Sequence, residues 1–297
     1  MLLSGIKISA PAAVITAIAA EFMSSTRGLD FVMLSSKAIL RIADIFAAIM
    51  RSTLLEITMF FYLSLLNPAY YTGMNHKCAK DQLMAETVLV INPNSTERIT
   101  RQIEEAITEL SKELEVNCKV VTSPKGPAAI ESDFDVQAAI DPMIKIATNQ
   151  QADAYVTACF SDPGIQKMRD RLGVPVLGIG ESSALEAISL GNNVGIISSV
   201  EAAIPRHNRY WKHLEIKSKI IADIATGRGV LDLESEEAYN DIRAAGEQLT
   251  RIGADVLVLG CTGMAHLRPR LQEELGVPIV EPCQAALKAA TLKIREK

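Results

Sequence analysis

The sequence predicts an α/β protein of two pseudo-symmetric lobes, each a parallel sheet covered by helices, with a cleft between them and an apolar helical segment in front. Three observations carry that prediction. The first is a duplication: Asp153-Ala-Tyr-Val-Thr-Ala-Cys159 is matched about a hundred residues later by Asp255-Val-Leu-Val-Leu-Gly-Cys261. Each copy runs through a charged helical stretch to Leu-Gly-Val-Pro, at 172–175 and again at 275–278, then to a second apolar run and an alanine-rich helix start. Self-similarity of this kind is a statement about the fold. The second is the alternation of short apolar runs with helical patterns of ten residues or more, which builds parallel sheets from βαβ units. The third is that turn-forming loops follow several of these runs, at the carboxyl ends of strands where ligands bind in such sheets.

Residues 1–83 differ from the rest. They hold 7 Lys and Arg against 5 Asp and Glu, whereas residues 84–297 hold 23 against 30. Two apolar runs, Ala10 to Met23 and Phe46 to Leu66, dominate them, although Arg51 and Glu56 interrupt the second. A charge inside a membrane span is costly unless paired, and the start lacks the tripartite layout of a signal peptide. The run Ala20-Glu-Phe-Met-Ser-Ser-Thr-Arg-Gly-Leu29, with the apolar segment after it, resembles the tail of a bacterial ABC-importer permease over roughly residues 5–68. Such a piece lacks the earlier permease helices, so the extension reads as a joined remnant or as a tether that would give membrane contact. Met84 is the expected start of the folded lobes.

From there the elements follow in order. Thr87 to Ile91 is a buried-type strand ending in Asn92-Pro-Asn-Ser-Thr96. Glu97 to Leu114 is an amphipathic helix with Ile99, Ile103, Ala106, Ile107 and Leu110 on one face. Lys119 to Thr122 is the second strand, Ser123 to Asp135 a loop, Val136 to Gln150 a helix, Ala154 to Ala158 the third strand and Val174 to Ile179 the fourth. The second half repeats the scheme with strands at Asn193 to Ser198, Lys217 to Ile221, Val256 to Leu259 and Val277 to Val280, and helices through Arg206 to His213 and Glu234 to Ile252. The expected lobes are 84–182, rejoined by 281–297, and 183–280.

Composition excludes several functions. A net charge of −5 and 5 % aromatics offer no basic, stacking face for nucleic acid. The five cysteines, Cys78, Cys118, Cys159, Cys261 and Cys283, lack paired spacing and read as reduced thiols of a cytoplasmic protein. No Walker loop, HExxH or Gly-x-Gly-x-x-Gly is present, and His207, His213 and His266 share no metal-ligand spacing. The expectation is therefore a small-molecule site without metal or cofactor.

The chemistry sits at the two repeated cysteines. Asp162-Pro163 reads as an N-cap and first-turn pair, and amides at a helix start favour a nearby thiolate. A thiol brought down toward 7 is a usable base at neutral pH. Cys118 and Cys283 read as buried small hydrophobes. Two opposed thiols suit removal of a proton from one face of a stereocentre and its return to the other. Asn92, Asn94, Ser95 and Thr96 at the first strand end offer amides and hydroxyls to a neutral ring, or serve as turn and cap. Phe160, Ser161, Thr262 and Gly263 adjoin the thiols. Glu181 either orients substrate or caps the helix at Ser182, and His266 either faces the cleft or is solvated.

Four segments, Ile91-Asn-Pro-Asn-Ser-Thr96, Ala158-Cys-Phe-Ser-Asp-Pro-Gly164, Gly178-Ile-Gly-Glu181 and Leu259-Gly-Cys-Thr-Gly-Met264, resemble the aspartate/glutamate/hydantoin racemase superfamily, above all its hydantoin and allantoin racemase branch. The resemblance covers residues 87–297. It implies a cofactor-independent two-base racemase, commonly a homo-oligomer, with Cys159 and Cys261 as its cysteines and the Asn92–Thr96 loop lining the pocket. Ser161 departs from the Asp or Gly expected there, which bears on substrate choice. The competing readings are an aspartate or glutamate racemase, a one-cysteine decarboxylase of the same fold, and a two-lobed binding protein.

Overall fold

The structure is a computed structural model that describes residues 86–296 and Thr58. Apart from Thr58, the apolar helical extension expected over 1–83 and the permease-like run within it lie outside the described residues. The chain divides into two compact units between Met84 and Ala85, and both sheets belong to the second.

Two four-stranded parallel sheets carry the same strand order. The first is β2-β1-β3-β4, formed by β1 (Thr87–Asn92), β2 (Asn117–Thr122), β3 (Ala154–Thr157) and β4 (Val176–Gly178). The second is β6-β5-β7-β8, formed by β5 (Val194–Ser198), β6 (Ile220–Ala225), β7 (Val256–Leu259) and β8 (Ile279–Val280). The two cysteine-bearing strands, β3 and β7, therefore hold equivalent central positions. Both faces of these strands are covered, which is why they read as unbroken apolar runs. In β1, Val88 and Val90 point into one core cluster and Leu89 and Ile91 into another on the opposite face.

Helix α1 (Glu97–Glu113) buries Ile99, Ile103 and Ile107, the face its periodicity announced. Helix α2 (Asp133–Asn149) begins three residues before its expected start, because Ser132 and Asp135 form a capping box that closes the first turn. α3 (Ile165–Arg171) and α4 (Ile179–Leu190) follow, then α5 (Ile204–His213), α6 (Glu236–Arg251), α7 (Arg268–Leu275) and α8 (Pro282–Arg295). The strand expected at Lys217 to Ile221 is displaced: Lys217–Lys219 is a 3₁₀ turn, and the strand runs from Ile220 to Ala225 with Asp223 inside it.

The two lobes exchange helices. α4, which leaves the first sheet, packs Ala184 and Ala187 against Val194, Ile196, Val256 and Val258 of the second. α8, which leaves the second sheet, packs Ala286, Leu287 and Ala290 against Val88, Val90 and Val156 of the first. Burying these side chains on the opposite sheet, at roughly 25 cal/mol per Å² of apolar surface, holds the strand ends of the two sheets toward each other.

Candidate active site

Four strand ends meet in one small cavity. β1 contributes Asn94, β3 contributes Cys159 to Ser161, β5 contributes Ser199, and β7 contributes Cys261 and Thr262. Arg206 and His207 of α5 close one side, and Ile130 and Val230 complete the apolar lining. The cavity measures about 40 Å³, well below the roughly 300–1,000 Å³ of ligand pockets. Larger hollows lie elsewhere, one of about 630 Å³ beside Arg98, Glu234 and His266 and one of about 610 Å³ beside Arg169, Glu181 and Leu292. They hold neither thiol, so size does not mark the chemistry here. The cavity that holds both thiols is a narrow one.

Of the first-loop residues, Asn94 alone lines the cavity. Asn92 is fully buried and donates through Nδ2 to Asn94 Oδ1 (3.0 Å) and Thr100 Oγ1 (2.9 Å). Ser95 Oγ donates to the Pro127 carbonyl (3.3 Å) and Thr96 Oγ1 to that of Ala128 (2.8 Å). Asn92, Ser95 and Thr96 thus shape the loop that presents Asn94. Beside the thiols, Phe160, Ser161 and Thr262 line the cavity, and Gly263 does not, facing Leu233 instead.

Both thiols are held in their neutral form. Burial pushes Cys159 up to about 11, the nearby charge of Asp162 adds to this, and hydrogen bonds from Ser161 together with the charge of Arg206 work the other way. Burial likewise pushes Cys261 up to about 12 against an opposing amide of Gly263, with a further upward push from Cys159. The push that Cys159 gives Cys261 places the two sulfurs within electrostatic reach of each other. The expected lowering by a helix start does not occur, since α3 begins only at Ile165 with left-handed Gly164 as its N-cap. Cys118 is raised to about 11 and Cys283 well above the ordinary value, both by burial, and neither lines the cavity.

Asp162 does not cap α3. Its backbone takes φ +44° and its carboxylate crosses to the start of α4, accepting from the amides of Gly180 (2.9 Å) and Glu181 (2.7 Å) and from the Tyr210 hydroxyl (2.9 Å). A Cβ at Gly178 would stand 2.1 Å from that carboxyl carbon, so only glycine leaves room for the crossing. Burial raises the Asp162 carboxyl to about 7 in spite of its three donors. Glu181 turns outward, pairs with Arg169 at 2.9 Å and does not reach the thiols. His266 is exposed.

Four residues of the site were not among the sequence-based candidates. Ser199 is the counterpart in the second half of the first-strand loop, and carrying the repeat back two strands from Cys261 would have found it. Arg206 Nε donates to Ser161 Oγ (2.8 Å) while its Nη1 donates to Asp133 (2.9 Å), tying the lobes together. His207 is buried, with Nδ1 2.8 Å from Asp223 Oδ2. Asp223 gave no signal, because the strand that holds it was placed too early. Among the described residues no group of three His, Cys, Asp or Glu side chains is arranged to hold a metal ion, and no helix is long and apolar enough to cross a membrane.

Comparison with known proteins agrees with this arrangement. The family model described as "Asp/Glu/Hydantoin racemase" matches residues 88–290. A hydantoin racemase of Paenarthrobacter aurescens is 30% identical over 214 residues, 68% of this chain and 89% of that protein. One from Pseudomonas sp. (strain NS671) is 32% identical over 213 residues, 68% of this chain and 84% of that protein. The solved allantoin racemase from Klebsiella pneumoniae superposes with a TM-score of 0.68 at 26% identity, covering 71% of this chain and 89% of that one.

Proposed function

This chain belongs to the Asp/Glu/hydantoin racemase family, and from that premise we propose that it racemises 5-substituted hydantoins or allantoin, with Cys159 and Cys261 as opposed acid and base. The observation that carries the reading is the placement of one thiol at the end of each equivalent strand, β3 and β7, on the wall of a single cavity. In the working state one sulfur is a thiolate and the other a thiol. The thiolate takes the proton at the stereocentre, the electron pair passes into the adjacent carbonyl as an enolate, and the opposite thiol protonates the other face. One proton is gained and one given, so the site is left ready for the other enantiomer.

The raised thiols suit a carbon acid. At pH 7 a thiol with a pKa of about 11 is ionised about once in ten thousand molecules. Once formed, that thiolate is a stronger base than one tuned to 7, and the neutral partner is a ready donor. Arg206, hydrogen-bonded to Ser161, lies where its charge favours the Cys159 thiolate. The lining supports a neutral ring over a free amino acid. Among the described residues it holds one cation, Arg206, and no Asp or Glu to meet an ammonium group, and an unpaired buried charge is costly.

The test is racemisation of hydantoins, allantoin, aspartate and glutamate in deuterium oxide. Cys159→Ser and Cys261→Ser should each lose nearly all racemisation, because a hydroxyl is a far poorer base. Each should keep solvent exchange at the α-carbon of one enantiomer only. Cys118→Ser and Cys283→Ser should stay active. Substantial racemisation by either of the first two variants would refute the two-base assignment, and preference for aspartate or glutamate would replace the ring substrate.

A further inference from the structure

His207 has no part in the proton transfers between the thiols, yet its ring is held with more care than packing requires. Nδ1 lies 2.8 Å from Asp223 Oδ2, and the other carboxylate oxygen accepts the Ser198 hydroxyl at 2.6 Å. The Asp223 side chain is 2% exposed and that of His207 3%. The ring meets Phe160 edge-on at 5.1 Å and leans on Trp211 at 6.2 Å, so it has one orientation. A carboxylate that accepts fixes the imidazole proton on Nδ1 and leaves Nε2 as a bare acceptor. Among the described residues no hydrogen bond reaches Nε2, while His207 lines the cavity beside Cys159, Phe160 and Cys261. Nε2 is not among the fully enclosed unpartnered atoms of the described residues, so it keeps some exposure. An oriented acceptor without a partner on a cavity wall is a place for a ligand's donor.

We propose that His207 Nε2 accepts a hydrogen bond from a ring N–H of the bound cyclic ureide, with Asp223 as the positioning residue that sets the tautomer. The inference rests on the ring-substrate reading and adds a specificity determinant to it. Of the other polar groups of the wall, Arg206, Ser161, Ser199 and Thr262 are donors or hydroxyls that serve the ring carbonyls, and the acceptor oxygen of Asn94 is already taken by Asn92 Nδ2 and the Thr96 amide. His207 is the one pure acceptor side chain among the described residues there. It selects rings with a free N–H and rejects those alkylated at that nitrogen.

Two measurements test it. In the first, kcat/KM is determined for a 5-substituted hydantoin and its N1-methyl and N3-methyl derivatives, with the unaltered protein and with His207→Phe, which keeps the ring's bulk. Methylation at one of the two nitrogens should cost the unaltered protein about tenfold or more. His207→Phe should lose a similar factor on the unmethylated ring and less than about twofold on that methylated one. Equal losses on all three rings would mean a purely structural histidine and overturn the proposal. In the second, racemic 5-methylhydantoin is added to ¹⁵N-histidine-labelled protein, where the Nε2 resonance of His207 should move while Nδ1 holds. This arm does not need the variant to fold or the protein to turn over. If no ring is racemised but Nε2 still moves on binding, the reaction assignment fails and the contact stands. If rings are racemised and Nε2 does not move, the contact fails alone.

Discussion

At Cys159 and Cys261 the dominant force is the loss of water, and even the 3₁₀ turn Thr262–Leu267 that starts at Cys261, with its Gly263 amide, does not offset it. The amide and hydroxyl that reach Cys159 come from Ser161, and the carboxylate next in line, Asp162, pushes the thiol up while serving another helix. The resting site is therefore a pair of neutral thiols with pKa values of about 11 and 12. Alkylation by a small haloacetamide should accelerate about tenfold per pH unit at both cysteines from pH 7 to 10, because only the thiolate reacts. Peptide mass spectrometry of quenched time points reads each site separately. A plateau near pH 7 to 8 at either one would mean that a thiolate is already present at rest. The positions of these residues were legible in the sequence, because a repeat places two like residues at like strand ends. Their ionisation was not, since that depends on which amides turn toward the sulfur. His207 and Asp223 stayed hidden for a similar reason: they lie sixteen residues apart on different elements, and only the packing of α5 on β6 brings them together.

At the scale of elements, the exchanged helices α4 and α8 share a device. Each begins over a buried carboxylate: Asp162 from the preceding thiol loop for α4, and Glu281, accepting from the amides of Cys283 (3.1 Å) and Gln284 (2.7 Å), for α8. Free amides at a helix start are partly positive and favour an acceptor there. Asp162→Ala and Glu281→Ala should each cost about 1–3 kcal/mol in urea unfolding, with larger loss of activity for Asp162→Ala because the loop carrying Cys159 loses its anchor. The pH dependence has a definite sign. The Asp162 carboxyl sits at about 7 when folded, above its ordinary value of 3.8, so the folded state binds the extra proton between those limits. Stability relative to Asp162→Asn is therefore greatest below about pH 4 and declines as pH rises toward 7. A difference that grows with pH over that window would contradict the raised value. The alanine-rich starts located these helices to within a few residues, but not the carboxylates under their first turns. Nor does an Asp-Pro pair reveal that its carboxylate caps a helix starting seventeen residues further on.

At the scale of the whole molecule, the narrow cavity makes access the issue. A space of about 40 Å³ between four strand ends cannot admit a substituted ring unless the walls part. The segment between β6 and α6, residues 226–235, covers the site with Val230 and is strapped to the first lobe. Arg98 donates to the Leu231 carbonyl (2.6 Å) and pairs with Glu234 (2.7 Å), Gln102 donates to Glu234 (2.5 Å), and the Val230 amide donates to Glu131 Oε1 (2.7 Å). The Arg98–Glu234 pair is well exposed and contributes little; the charge-assisted bond to the Leu231 carbonyl is the stronger hold. Arg98→Ala should therefore destabilise the closed form by about 1–2 kcal/mol, raising the population of open molecules about 5- to 30-fold. The measurement is labelling of Cys261 by a bulky maleimide at fixed pH, with Cys118 on β2 as an internal reference outside the cleft. Arg98 is not among the groups that shift Cys261, so a faster reaction reports access and not thiolate content. Acceleration at Cys261 alone supports a cover that opens by itself. Equal acceleration at both cysteines would mean that the whole lobe loosens, and no change would show that substrate enters by another route.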